Sequence, residues 1–552
     1  MGIFLFTDED NFIQKIKNII SYIENKVDYY LIENLYNLKF NKKNFADEEF
    51  FINNYLKNTK NHQVNAGLNK IKNISLEIVY KEIFGLIFGY NSNNLMITKD
   101  EYESLRINNF SSDECEIIYL IAKDYLNYLN NNNYIDNNIA SFEILNNIDN
   151  FEKYSLIILD EVQDFTQKNL LLFKNLTLKM FCAGDALQMI NPSYFSFGYL
   201  KNLLFENNIV SVSELKSNYR NTYEIQKIID ELEKINVAKF GTHNFISNSL
   251  GVKSSTKTTA MYCLSNTAIK EIAKVKFDNF TIVTSSKQKK EELRKILKNQ
   301  EILTVSEIKG LERDTVLVYN ILSDNISKWN YLDRIMLNKK TADENSVFRY
   351  YFNLFYVGLT RAKQNLFVIE EKDVKDFSNF FNKNFDCEKE SSIIKTLIKI
   401  ISTVEFTQEE YIARVKEFIK LGQYENAIFS ANKITDDIIK NKELNRIDIY
   451  KNYVRQSNYL DAGIKFWEVG LLDEAKNMFK LSGDNTLIDL IDAVSENNQS
   501  TLNINIIKYY LDVLDNKVAT KIILDVLKND ISTLKNNQKI IKEQLNKKKE
   551  NK

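Results

Sequence analysis

The stretch "SLIILDEVQDF", Ser155 to Phe165, runs four apolar residues straight into Asp160 and Glu161 and places a further acid at Asp164. Adjacent carboxylates at the exit of a buried strand repel one another and lose hydration. A positive group should offset that cost, most simply a hydrated metal carried on a phosphate. A first acid in this position holds Mg²⁺ through water, and a second orients or deprotonates an attacking water, which is the Walker B geometry. Two acids after a strand are, taken alone, more often an ordinary polar loop. Here a second strand-like run, "LKMFCAGDALQ", ends in Gly184, Asp185 and Gln188, so a neutral hydrogen-bonding side chain is expected near the same edge.

These residues need strands and helices to position them. "GIFLF" reads as a buried strand and "NFIQKIKNIISYIENK" after it as an amphipathic helix, with apolar residues three and four apart. From about 35 to 150 the pattern is mostly helical and polar. "LKMFCAGD", "TTAMYCLS", "FTIVTSS", "EILTVSE", "DTVLVYNIL" and "QNLFVIEE" then read as strands, several separated by helical stretches such as "SKQKKEELRKILKN". Strands alternating with helices predict parallel sheets covered on both faces, an α/β fold. Beyond about 376 strand signals fade. "LGQYENAIFSA" and "VGLLDEAKNMF" share a G-x-x-x-x-A pattern, with "SNYLDAGIKF" a weaker relative, and predict stacked helix-turn-helix units. The end of the chain, "NDISTLKNNQKIIKEQLNKKKENK", is a polar, lysine-rich tail.

Length and composition bound the reading. A chain of 552 residues exceeds what one hydrophobic core usually supports. With 44% hydrophobic residues, 27% charged and a formal net charge of −1, it has the composition of a soluble multidomain protein without an overall basic field, so any nucleic-acid contact must be local. Cys115, Cys182, Cys263 and Cys387 lie far apart, and His62 and His243 are the only imidazoles. That spacing supports neither a zinc site nor a disulfide framework and fits a reducing, cytoplasmic setting. No apolar run approaches the ~18 residues of a membrane span.

In order along the chain, "DEVQD", "GDALQ", "LKSNYRNT", "ILTVSEIKGLE" and "FYVGLTRAKQNLFVIE" resemble the signature set of superfamily 1 helicases of the UvrD/Rep type. The resemblance runs from the first strand to about Glu371. It implies two RecA-like parallel-sheet lobes with a helical insertion and an all-α C-terminal region: 1–34 and 151–210 for an incomplete first lobe, 35–150 for the insertion, 211–376 for the second lobe, 377–528 for helical repeats similar to tetratricopeptide modules, and 529–552 for the tail. It implies an ATP-dependent DNA helicase that tracks single-stranded DNA from 3′ to 5′. Carried over residue by residue, Asp160 and Glu161 hold the magnesium, Glu161 is the catalytic base, and Gln188 senses the γ-phosphate and water. Tyr219 stacks on adenine, Arg220 reaches the γ-phosphate, Gly310 and Glu312 of "KGLE" meet the nucleotide, and Arg361 of "GLTRAK" is the arginine finger. Thr7 of "IFLFTDEDN" matches the family's single-strand-contacting segment, and Phe195 or Phe197 is placed to stack on a base, with a core role at least as expected for either. Singly, Arg361 reads as a surface ion pair, Tyr219 as a half-buried aromatic and Glu312 as a solvated turn residue. The ordered set outweighs its members.

The departures are specific. Ser306, Glu307 and Ile308 stand where the family usually carries a histidine and small residues, and "MINPSYFSFGYL" lacks the tryptophan-arginine-glycine run. None of the 14 glycines is followed by lysine, so the G-x-x-x-x-G-K-[ST] loop that wraps phosphates in backbone N–H groups is not in this sequence. The expectation is of a reading frame that starts one strand, one loop and one helix late, and of a chain that alone binds ATP weakly and does not unwind DNA. A different class of function competes: a catalytically silent body that offers its C-terminal helices to a protein partner.

Overall fold

The structure, a computed structural model, describes residues between 32 and 488 except 38, 41–42, 73, 75, 91–92, 107–109, 178, 191–194, 196, 206–216, 241–249, 253–257, 275–278, 328, 330–346, 403–405, 457 and 484–486. The chain divides into two compact units, Met1–Lys399 and Ile400–Lys552. Helix predominates. Twelve strands are described: β1 (Asn44–Phe45), β2 (Tyr134–Ile135), β3 (Ile157–Leu159), β4 (Met180–Cys182), β5 (Ser217–Thr222), β6 (Leu250–Val252), β7 (Thr259–Leu264), β8 (Thr281–Thr284), β9 (Glu301–Thr304), β10 (Arg313–Tyr319), β11 (Ala362–Glu370) and β12 (Asp386–Cys387).

Six of them form one all-parallel sheet in the order β12-β7-β11-β10-β8-β9. Its strands are the apolar runs of the sequence, and the two central ones are buried nearly from end to end, as a parallel sheet flanked by helices requires. "EILTVSE" is strand only to Thr304. The Thr304 hydroxyl and the Glu307 carboxylate then form a capping box that turns the chain straight into the short helix Val305–Ile308. Glu307 also takes an ion pair from Lys290 at 2.6 Å, so the departure at 306–308 has a local structural role.

Two expectations change in detail. Among the described residues, the region expected to form a first sheet shows a two-stranded parallel pair, β3 with β4, and β5 pairs with β6 outside the large sheet. The large-sheet unit also runs past 376, because β12 adds a strand against β7 after the helix Lys375–Asn384. A two-residue strand carries no periodicity, so the sequence pattern missed it.

The described residues between 32 and 150 are mostly helical around an aromatic core that includes Phe51, Tyr55, Tyr80, Phe88 and Tyr125, with β1 and β2 as a short parallel pair. The buried Glu82 carboxylate is satisfied there by Arg106 Nε at 2.8 Å and Tyr102 Oη at 3.0 Å. No described helix is long and apolar enough to cross a membrane.

In the second unit, helices Gln408–Lys420 and Tyr424–Ala431 form one hairpin, and Tyr459–Glu468 and Leu472–Ser482 another. One turn is used three times. The N–H of Gln423 reaches back to Phe418 O at 2.8 Å, that of Asn458 to Tyr453 O at 3.0 Å and that of Leu471 to Phe466 O at 2.9 Å. Gly422 and Gly470, at φ +68° and +72°, supply the left-handed residue that this closure needs. Ala427, Ala462 and Ala475 are the buried small residues of the G-x-x-x-x-A pattern and its weaker relative. Gly463 is packed so closely that a Cβ would lie 2.5 Å from the Phe479 ring, which fixes how near these two helices approach.

Candidate functional site

β3 and β4 run parallel, with Leu159 opposite Cys182, and the pairing continues past both strand ends: Ala183 N donates to Leu159 O at 2.9 Å and Val162 N to Ala183 O at 2.8 Å. This brings the two acidic loops side by side. Asp160 accepts from its neighbour's N–H at 2.9 Å, and Glu161 sits at φ +50°, ψ +44°, a left-handed conformation that costs a non-glycine residue of order 1 kcal/mol. A side chain the sequence reading passed over holds the corner. Gln163, fully buried, donates through Nε2 to the Glu161 carboxylate and accepts the Asp185 N–H at 3.0 Å. Gly184 must be glycine for this, because a Cβ there would fall 2.2 Å from Gln163 Oε1. Asp185 in turn accepts from Leu187 N at 2.9 Å and from Gln188 Nε2 at 3.0 Å, which aims the Gln188 side chain. A signal was present: the glutamine inside "DEVQD", two residues after Glu161.

The cationic residues come from the large sheet. Arg361 lies between the helix Val347–Thr360 and β11 and is only 1% exposed. Its Nε donates to Val357 O at 3.2 Å and to Thr360 Oγ1 at 3.3 Å; its Nη2 donates to Thr360 Oγ1 at 2.9 Å and to Gln188 Oε1 at 2.9 Å. All of these acceptors are neutral. Burial first, and the charge of nearby Arg220 second, push the Arg361 guanidinium down to about 10; the charges of Glu161, Tyr356 and Glu312 oppose the shift.

Arg220, on β5, forms an ion pair with Glu312, whose other oxygen is 3.4 Å from Lys363 Nζ. Burial acts to raise the Glu312 carboxyl, and Arg220 with Lys363 outweighs it, leaving the group below its ordinary range. Gly310, two residues earlier, turns at φ +82°, which admits glycine and strains any L side chain.

Thus Glu161, Gln188, Arg220, Glu312 and Arg361, far apart in sequence, meet at one place, with Asp160 beside Glu161. Tyr219 lies on β5 next to Arg220; its side chain falls outside what is described. Phe195 is a core residue, 4% exposed, stacked edge-on with the partly buried Phe197 at 4.9 Å between centroids, in the cluster with Leu159, Val162 and Leu170. The core role therefore accounts for Phe195, and Phe197 packs against the same cluster while staying partly exposed. Thr7 lies outside the described residues. Three further contacts tie the acidic loops to the rest of the unit: Lys309 to Asp164 at 2.5 Å, Asn353 Nδ2 to Met189 O at 2.9 Å, and Lys81 Nζ to Ile190 O at 2.8 Å.

The donor set suits a metal-bound polyphosphate. Two guanidiniums and an amide converge on a strand end that carries two carboxylates, enough for a magnesium ion held mainly through water and phosphate oxygens. Among the described residues no group of three or more acidic, histidine or cysteine side chains forms a self-sufficient metal cage. Neither the known family models nor the curated proteins match this sequence.

Proposed function

We propose that this chain is the body of an ATP-dependent DNA translocase of the UvrD/Rep type, with the β3–β4 loops as the catalytic edge of a first RecA-like lobe and the six-stranded sheet as the second. The observation that carries the reading is Arg361. A guanidinium withdrawn from water and bonded only to neutral oxygens lacks the contact with a carboxylate that normally offsets burial, so its position favours an incoming anion. Its one partner from the acidic side is Gln188, so an anion reached by Arg361 also lies near the strand-end acids.

In this reading bound Mg²⁺·ATP supplies an electrophilic γ-phosphorus. Asp160 holds the hydrated metal, Glu161 takes the proton of the attacking water, Gln188 orients that water, and Arg361 and Arg220 stabilise charge on the phosphate oxygens. Single-stranded DNA is the proposed track. The backbone cradle of a G-x-x-x-x-G-K-[ST] loop is not among these 552 residues, so the chain by itself should hold ATP weakly and leave duplex DNA intact. That same lack favours the competing reading, a silent body that presents its helical hairpins to a protein partner.

The test is a thermal-shift titration of the purified chain with Mg²⁺·ATP and single-stranded DNA, followed by phosphate release. Weak, millimolar-range stabilisation that Arg361→Ala removes supports the motor reading. Stabilisation that is absent, or indifferent to Arg361→Ala, overturns it in favour of the silent body. Should phosphate release be measurable, Glu161→Gln is expected to lower it by ~10²-fold or more while preserving binding, and vigorous hydrolysis by the wild-type chain would refute the expectation that these 552 residues alone hold ATP weakly.

A further inference from the structure

Asn221 follows Arg220 on β5 and is 1% exposed. Its Nδ2 donates to Thr360 O at 3.1 Å and to Ala362 O at 2.7 Å, the two carbonyls that flank Arg361 in the chain. The Arg361 carbonyl itself accepts from Arg313 N at 3.0 Å, so backbone bonds fix the turn from one side and the Asn221 amide from the other. One primary amide spends both hydrogens on a single turn. The contact joins positions 139 and 141 residues apart in sequence, which no local propensity would bring together.

Resting on the proposed nucleotide site, we infer that Asn221 is a positioning residue that sets where the Arg361 guanidinium stands relative to Arg220. The chemistry selects asparagine. The position needs two N–H donors aimed at two carbonyls inside a buried joint. Serine or threonine offers one hydrogen, an ionised aspartate offers none and turns a negative oxygen on the carbonyl dipoles, and lysine or arginine adds a charge. Because Arg361 and Arg220 repel each other, the turn that carries Arg361 has an electrostatic reason to move away unless it is held. Asn221 supplies the hold from the very strand that carries Arg220, so the spacing of the two cations is set by one short side chain. The Glu312 carboxylate fixes the other end, by pairing with Arg220.

The experiment is a double-mutant cycle read by Mg²⁺·ATP stabilisation of the full chain in the presence of single-stranded DNA, with circular dichroism as the control for folding. Asn221→Ala should weaken ATP binding about tenfold, close to the loss in Arg361→Ala, and the double variant should be no worse than Arg361→Ala alone. Asn221→Ala made in an Arg220→Ala background should instead cost less than it does alone, because the repulsion that the Asn221 amide resists is then gone. Asn221→Asp keeps the shape and removes the donors, and should reproduce the alanine result if the alanine variant folds poorly. Losses that multiply between positions 221 and 361, or ATP binding unaffected by Asn221→Asp, overturn the inference. If Arg361→Ala alone changes nothing, the nucleotide-site reading has failed, and that outcome is distinct from a failure of Asn221.

Discussion

The middle of the large sheet and the middle of the β3–β4 pair are built from the same kind of residue and live in opposite surroundings. Leu317 of β10 lies between Phe367 of β11 and Ile282 of β8 and is fully buried. Ile158 of β3 is 63% exposed, and its register partner Phe181 of β4 is 45% exposed, with Leu156 beside them also in the open. Parallel strands owe their stability to cover on both faces, and among the described residues only the first of these regions has it. The candidate site takes its cations from the covered region and its acids from the half-covered one. Arg361 is therefore held by a packed sheet, by Val357 and Thr360 at the end of the preceding helix, and by Asn221. Asp160 and Glu161 depend on a short ladder, on Gln163 and on contacts from neighbouring elements.

The largest expected effect separates the two regions directly. Leu317→Ala removes a fully buried side chain from the centre of the sheet, where neighbours on both strands limit collapse, and should destabilise the first unit by about 2–5 kcal/mol. Urea unfolding followed by tryptophan fluorescence measures this, since Trp329 is buried in the same unit. A loss below about 0.5 kcal/mol would mean that the sheet is not the stabilising core it is taken to be.

The next effect concerns pH. Glu370, at the end of β11, accepts from the N–H groups of Leu322 at 3.0 Å and Ser323 at 2.8 Å, and burial raises its carboxyl to about 7. The unfolded chain releases this proton near 4.5, the folded chain only near 7. The folded state thus binds the extra proton between those values. The contribution is full below 4.5 and declines as pH rises to 7, by about 3 kcal/mol at 1.36 kcal/mol per pH unit. Glu233, raised to about 7 chiefly by burial, and Asp136, raised to about 6 for the same reason, titrate in the same window. Glu370→Gln should therefore flatten part of the decline between about pH 5 and about pH 7.5. An unchanged slope in denaturant midpoint would show that Glu370 is ionised in the folded protein throughout.

Five strands of the large sheet were visible as apolar runs, because burial on both faces leaves no alternation to misread. The convergence of Gln188, Arg220, Glu312 and Arg361 was visible only through the ordered motifs, since no local rule joins positions such as 220 and 312, 92 residues apart, or 188 and 361, 173 apart. Asn221 was not legible, and Gln163 was legible only as the glutamine inside "DEVQD". Each is a neutral amide whose importance lies in hydrogen bonds that reach another part of the chain, two for Asn221 and one, beside its bond to Glu161, for Gln163, and an amide in a loop or strand has no distinctive pattern. β12 was missed because it is two residues long, and the third helical turn, at Asn458, was faint because its sequence lacks a glycine among the flanking residues that mark the other two. Phe195 was ambiguous for a different reason: an aromatic ring next to a strand-end loop serves a core or a base equally well until its burial is known.

The smallest expected effect is the sharpest probe of the comparison. Ile158→Ser and Phe181→Ser replace apolar side chains that face water across the β3–β4 pair. Exposed apolar surface that stays exposed on folding gains almost nothing from being apolar, so each change should alter stability by no more than about 0.5 kcal/mol. Serine is less suited to a strand than isoleucine or phenylalanine, which accounts for a few tenths of that. The two residues are register partners, so the double variant also loses a cross-strand contact of about 0.2–1 kcal/mol, and the sum still lies well below the Leu317→Ala loss. Solubility should rise, since an exposed apolar strand face invites association. If either single variant instead costs about 2 kcal/mol or more, the face is covered in solution by polypeptide, and the contrast between the two regions disappears. Repeating Phe181→Ser at several protein concentrations then identifies the cover. A loss that grows with concentration places a second copy on the face, and a loss that does not places another part of the same chain there.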